Sequence, residues 1–203
     1  MEKNSLYPLA LICVVGIFLG CASSYHPVIV NNLSYSSATE TQEIRMHYKY
    51  DILREAGNNK YAKKELSKNI RLVAVELTNR SDRAISFRED IEIYSGARKI
   101  MPLDPLYAKK ELKQIAPLYM LWSLLWVVIT KCDNDDCSSI PIPVGAAIGI
   151  INTVKASGAN KNLLEDLMRY NMLNKTIEPG ETVRGIISIA VESGQPLEIR
   201  MRE

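Results

Sequence analysis

Between Ile44 and Ile52 apolar and polar residues alternate, with Ile44, Met46, Tyr48, Tyr50 and Ile52 on one side and Arg45, His47, Lys49 and Asp51 on the other. Period two over nine residues predicts a half-buried strand. Residues 69–78 (NIRLVAVELT) are dense in β-branched side chains and end in the turn cluster Asn79-Arg80-Ser81-Asp82 before Ala84-Ile85-Ser86-Phe87. That order predicts a hairpin. Residues 90–94 (DIEIY), Ser95-Gly96 and 99–101 (KIM) repeat strand, turn and strand. Near the other end, Glu178-Pro179-Gly180-Glu181 has Pro second and Gly third, as a type II turn prefers. Strands at 182–191 and 197–201 follow, the last with Leu197, Ile199 and Met201 against Glu198, Arg200 and Arg202.

The middle of the chain changes period. Residues 107–115 (YAKKELKQI) predict a helix, Pro117 a kink or restart, and 118–130 (LYMLWSLLWVVIT) and 140–154 (IPIPVGAAIGIINTV) two apolar arms around the tip Lys131 to Cys137. The expected element is an apolar helical hairpin, followed by an amphipathic helix from Asn160 with Leu163, Leu164, Leu167 and Met168 on one face. Each arm has about 15 residues, short of the roughly 20 that cross a hydrocarbon core. Three readings stay open: a pair buried on the sheet, a wedge in the membrane interface, or a contact surface for a protein. Tyr119, Trp122 and Trp126 form an aromatic stripe at helical spacing, a feature of bilayer interfaces as well as of cores, and Gly145 and Gly149 form a GxxxG. No charge occurs between Gln114 and Lys131, nor between Cys137 and Lys155, whereas a water-facing helix carries a charged face.

At the start, a short polar segment with Lys3 leads into the apolar run 9–19, the n-region and h-region of a secretory signal. Phe18-Leu19-Gly20-Cys21 resembles the lipobox of bacterial lipoproteins. That resemblance implies a signal peptide at 1–20, acylation of Cys21 as the membrane attachment and, with Ala rather than Asp at 22, sorting to the outer membrane, facing the periplasm or the cell surface. The polar run after Cys21 predicts a tether over 21–42. The motifs VELTNRSDRAISF, DIEIYSG and IEPGETVRGIISIAV are similar to those of immunoglobulin-like domains in bacterial cell-envelope lipoproteins. The expected fold is α+β: a mainly antiparallel immunoglobulin-like β-sandwich from 43–103 and 174–203, with an insert at 104–173 holding the helical hairpin and the amphipathic helix. Such sandwiches host many activities.

With Cys13 inside the signal and Cys21 acylated, Cys132 and Cys137 remain as a disulfide pair in an oxidising compartment. The alternative use of the CDNDDC tip, metal binding by Asp133, Asp135 and Asp136, lacks the Gly and closing Glu of an EF-hand. The chain carries 25 basic and 23 acidic residues, which gives no polyelectrolyte signal for a nucleic-acid partner. No nucleophile elbow, phosphate loop, zinc-protease or dinucleotide motif occurs, and the acidic pairs Glu89-Asp90 and Glu165-Asp166 read as solubilising charges. The hexapeptide YAKKEL occurs at 61–66 and again at 107–112, giving two lysine-rich helical turns, Lys60, Lys63, Lys64, Lys68 and Lys109, Lys110, Lys113. These are two solvated turns or basic patches for anionic headgroups or an acidic partner. The expectation is a non-enzymatic interaction or structural module of the envelope, without cofactor, bound to the membrane through Cys21 and open to an envelope protein partner. The alternative is a membrane-active component whose apolar hairpin inserts in transport, secretion or envelope assembly.

Overall fold

A computed structural model describes residues 21–133, 136–192 and 194–202, so the predicted signal at 1–20 lies outside the described residues. The chain forms two units. The larger, here called the body, comprises Tyr25–Lys113 and Asn160–Glu203; the smaller comprises Gln114–Ala159 with the chain up to Ser24.

In chain order the elements are β1 (Ser37–Glu40), β2 (Ile44–Lys49), α1 (Ile52–Glu55), α2 (Asn59–Lys68), β3 (Arg71–Asn79), β4 (Ile85–Ser86), α3 (Phe87–Asp90), β5 (Ile91–Ser95), β6 (Arg98–Ile100) and α4 (Pro105–Leu112). A 3-10 helix (Ala116–Leu124), β7 (Val127–Asp133) and β8 (Asp136–Ile142) follow; α5 (Val144–Arg169) begins in the smaller unit and ends in the body, before β9 (Thr176–Ile177), β10 (Thr182–Ile189) and β11 (Glu198–Met201). The fold is α+β with antiparallel sheets, ordered β1-β2-β3-β10, β11-β5-β6 and β4-β9 in the body.

The predicted alternation of β2 becomes its packing: Ile44, Met46 and Tyr48 are buried and their neighbours half-exposed. They join Val73, Val75 and Leu77 of β3, Ile91 and Ile93 of β5, and Ile199 of β11, so two sheets share one hydrophobic core. Within it the Tyr48 hydroxyl accepts the Leu197 N–H at 3.0 Å. The first half of β3 is buried on both faces, and helices α1 and α2 pack against it. The turn at 178–181 forms as read: Gly180 has φ +77° and the Glu181 N–H donates to the Glu178 carbonyl at 3.0 Å.

Four expectations are revised. The hairpin of 69–78 with 84–87 does not form, because β3 pairs with β2 and β10 while β4 pairs with β9. Asn79 redirects the chain: fully buried, its amide donates to the carbonyls of Arg83 (2.7 Å) and Ile177 (2.9 Å), fastening the turn to β9. The apolar helical hairpin is replaced by a 3-10 helix and a β-hairpin, β7 with β8, before α5. The insert is shorter than 104–173, since Ala108 and Leu112 of α4 and Leu163 and Leu167 of α5 are buried side chains of the body.

The segment 21–42 is packed rather than a free tether. Tyr25, Val28 and Val30 are buried in the body, and β1 pairs with β2. Asp166 of α5 holds this segment, accepting the Tyr25 hydroxyl and the Val28 N–H, each at 2.9 Å. Glu165 does read as a surface charge, exposed beside Lys161, whereas Asp166 is buried. Tyr25 also meets Tyr61 edge to face, with ring centroids 5.6 Å apart.

Candidate membrane-facing site

The smaller unit starts from a sequence with few ways to satisfy water. Pro117 stands in the first turn of the 3-10 helix, where a missing N–H does no harm. Val127, Val128 and Ile129 then enter β7, where β-branched side chains fit an extended backbone. Pro141 is tolerated in β8 because that strand pairs on one side only. The ladder sets Val127 against Ile142, Ile129 against Ile140 and Thr130 against Ser139, whose hydroxyls lie 2.9 Å apart. It also sets Cys132 opposite Cys137, and Cys137 is disulfide-bonded.

The base of this hairpin is apolar on both faces. Val127 and Ile129 point one way and Val128 the other, yet all three are exposed, as are Ile140 and Ile142. On α5, Val144, Ala147, Ile150, Ile151 and Val154 recur at helical spacing on an exposed side, with Ile151 65% and Val154 67% accessible. None of the residues of the 3-10 helix is buried; Leu118, Leu121 and Leu124 are open, and Trp126 just beyond is 59% accessible. A contiguous run of this length without charges exceeds the scattered apolar residues of an ordinary water-facing surface. Two-stranded hairpins are marginal in water, and one with apolar side chains on both faces needs a cover.

Cys21 belongs to this same unit and is half-buried. The chain after it is fixed by buried amides: Asn152 Oδ1 accepts the Ala22 N–H at 2.7 Å, while Gln114 accepts the Ser23 N–H at 3.1 Å and donates to the Ser23 carbonyl at 2.8 Å. The Tyr119 hydroxyl donates to Gln114 Oε1 at 3.2 Å, so this aromatic serves the N-terminal clamp. Sequence reading passed over Gln114 and Asn152, though each stood out as the one side-chain amide of its uncharged run.

The aromatic stripe and the GxxxG take other roles than a helix face. Tyr119 and Trp122 lie on the 3-10 helix, while Trp126 falls after it at the entry to β7, so the three share no helix. Gly145 and Gly149 are buried against that helix. A Cβ at Gly145 would lie 2.8 Å from Leu125 Cβ and nearer still to the Trp122 carbonyl; one at Gly149 would lie 3.1 Å from the Tyr119 carbonyl oxygen. The glycines permit close packing within the unit and leave the isoleucines outside.

Charges stop at the margins of this surface. Lys131 and Lys155 bound the two uncharged runs, and both are exposed. Among the described residues no helix is long and apolar enough to cross a membrane, and no cluster of His, Cys, Asp and Glu could hold a metal ion. The body offers a separate cleft of about 300 Å³, floored by Phe87, Ile93 and Leu173. Its polar rim is largely paired with itself: Lys99 and Arg202 both bond Glu92, whose carboxyl they and the Tyr94 hydroxyl hold below its usual range. Both histidines are in the body. The backbone of His26 is bound by Asn58, and His47 sits half-exposed in β2. No family model, curated protein or solved structure matches the chain.

Proposed function

We propose that the chain is an outer-membrane lipoprotein that acts as a non-enzymatic interaction or structural module of the cell envelope. Cys21 carries the acyl chains, and the Gln114–Ala159 unit seats its apolar surface in the adjoining leaflet as a second attachment. The body, read as an immunoglobulin-like sandwich, meets an envelope partner. One observation supports the membrane part above the rest: the exposed apolar side chains of β7, β8 and α5 belong to the same unit as Cys21, whose neighbour Ala22 is clamped to Asn152 of α5. A hydrocarbon boundary covers both faces of the hairpin base without requiring a complementary protein shape, and interfacial burial of 5–10 Å matches the three-residue apolar base of β7. The disulfide partner of Cys137 in this reading is Cys132.

The test is to export residues 22–203 behind an ordinary cleavable signal, so that no lipid is attached, and to fractionate the cells after a high-salt wash. The protein is expected to stay with the membranes, and Ile150→Lys with Ile151→Lys and Val154→Lys to release it. Recovery of the unsubstituted, lipid-free protein in the soluble fraction refutes the second attachment and hands the apolar surface to a protein partner.

A further inference from the structure

The two copies of YAKKEL end up side by side. Helices α2 and α4 pack together in the body, the Lys64 ammonium donating to the Lys113 carbonyl at the C-terminal cap of α4 and Lys68 standing 3.6 Å from Glu111. A cation there complements the negative end of the helix dipole. The pairing gathers Lys60, Lys63, Lys64 and Lys68 of α2 with Lys109, Lys110 and Lys113 of α4. The two helices themselves carry two carboxylates: Glu65 is turned inward and accepts the Leu72 N–H at 2.7 Å, and Glu111 stands beside Lys68.

We propose that this lysine-rich helix pair is a docking face for the anionic headgroups of a phospholipid surface. The inference rests on the membrane attachment proposed above and names the lipid class that it selects. The whole chain has a net charge of +2, so an excess of this size on two helices makes the remainder net acidic. Crowding is visible at Lys64, whose ammonium is pushed below its usual range by burial first and then by Lys68 and Lys113. An anion against the pair relieves that repulsion. Leu66, Leu106 and Tyr107 are exposed on the same helices, and Leu106, Lys110 and Lys113 follow one another at helical spacing, the mixed apolar and basic character of an interfacial helix. A bilayer is favoured over an acidic protein because Lys113 leads directly into the uncharged run from Gln114. Basic clusters beside membrane-entering segments recognise anionic lipid in this way.

The experiment compares binding of lipid-free residues 22–203 to vesicles of phosphatidylcholine and to the same vesicles containing phosphatidylglycerol, at low and high salt. Tighter binding to the anionic vesicles, with the gain lost in high salt, is expected. Lys63→Glu, Lys110→Glu and Lys113→Glu together, all at exposed positions, should lower anionic-vesicle binding about 100-fold or more and leave neutral-vesicle binding unchanged. Circular dichroism confirms that the variant is folded. Equal affinity for both vesicles overturns the inference while sparing the membrane reading. Binding to neither overturns both. Equally salt-sensitive capture of polyglutamate, displacing the vesicles, assigns the face to an acidic protein and overturns the lipid assignment.

Discussion

Removing the carboxylate of Asp166 should loosen the start of the chain and destabilise the body together. Asp166 is 5% accessible and receives two donors, the Tyr25 hydroxyl and the Val28 N–H, both at 2.9 Å and both on buried residues. Burial and the neighbouring carboxylate push the Tyr25 hydroxyl far above its usual range, so it remains a donor at every accessible pH. Asp166→Ala strands both donors in the interior at about 1–3 kcal/mol each, or about 4 kcal/mol together. Tyr25→Phe deletes one donor and leaves Val28 to serve the carboxylate, costing about 2 kcal/mol. Because the hydroxyl has lost its partner in Asp166→Ala, the double variant should cost less than the sum, with a coupling of about 1.5 kcal/mol. Urea unfolding followed by far-ultraviolet circular dichroism, with the slope of free energy on denaturant unchanged, measures all three. A loss below about 1 kcal/mol for Asp166→Ala, or strict additivity in the cycle, would show that the segment lies on the body without being held by this residue.

Glu65 supplies a pH test. Burial is the main cause that lifts its carboxyl to about 7, against the lowering effect of the Leu72 N–H and Arg71. The folded state therefore binds a proton that the unfolded state has released, and Glu65 makes stability fall as pH rises from about 4.5 to 7, by at most about 3 kcal/mol. Glu65→Gln should flatten that slope in pH-resolved unfolding, and an unchanged slope refutes the assignment. Gly185→Ala places a Cβ 2.5 Å from the Tyr170 carbonyl oxygen and against Met172, so a loss of about 1–3 kcal/mol is expected in thermal unfolding, and a neutral result shows that the β10 contact yields freely. With Cys132 as the proposed partner of Cys137, Cys132→Ser opens a six-residue ring and should cost the hairpin about 2 kcal/mol, read as faster amide exchange at Lys131 and Ser138; unchanged exchange refutes it.

What the sequence made legible was the local geometry that a few residues decide alone. The period of β2, the β5–β6 turn at Gly96 and the Pro-Gly turn at 179–180 needed no knowledge of partners. The hairpin of β7 and β8 was misjudged because a continuous apolar run has no period from which to separate strand from helix. Its β-branched residues and the facing cysteines were the available sign. Long-range choices were invisible for a different reason. Nothing near Asn79 announces that its amide will bond Ile177, and nothing near Asp166 announces Tyr25, since each partner is about a hundred residues distant or more. The two YAKKEL segments make the point most directly: Tyr61 is fully buried, whereas Tyr107 is 49% accessible. Identical words take opposite environments once tertiary packing intervenes.

The clamp at the start of the chain also sets a length. Cys21 and Tyr25 are four positions apart, and a fully extended chain spans at most about 3.5 Å per residue, so the leash from a Cys21 acylated as proposed to the first buried residue of the body would reach at most about 14 Å. Lipoproteins on long linkers can sweep the compartment for distant partners. Under the lipidation proposed above, so short a leash would hold the near edge of the body within roughly the depth of the headgroup layer and the first water beyond it. In that reading a partner of the body would have to reach the membrane-proximal zone the body occupies, and lengthening the leash by inserting flexible residues after Ser24 becomes a direct way to ask how much the working distance matters.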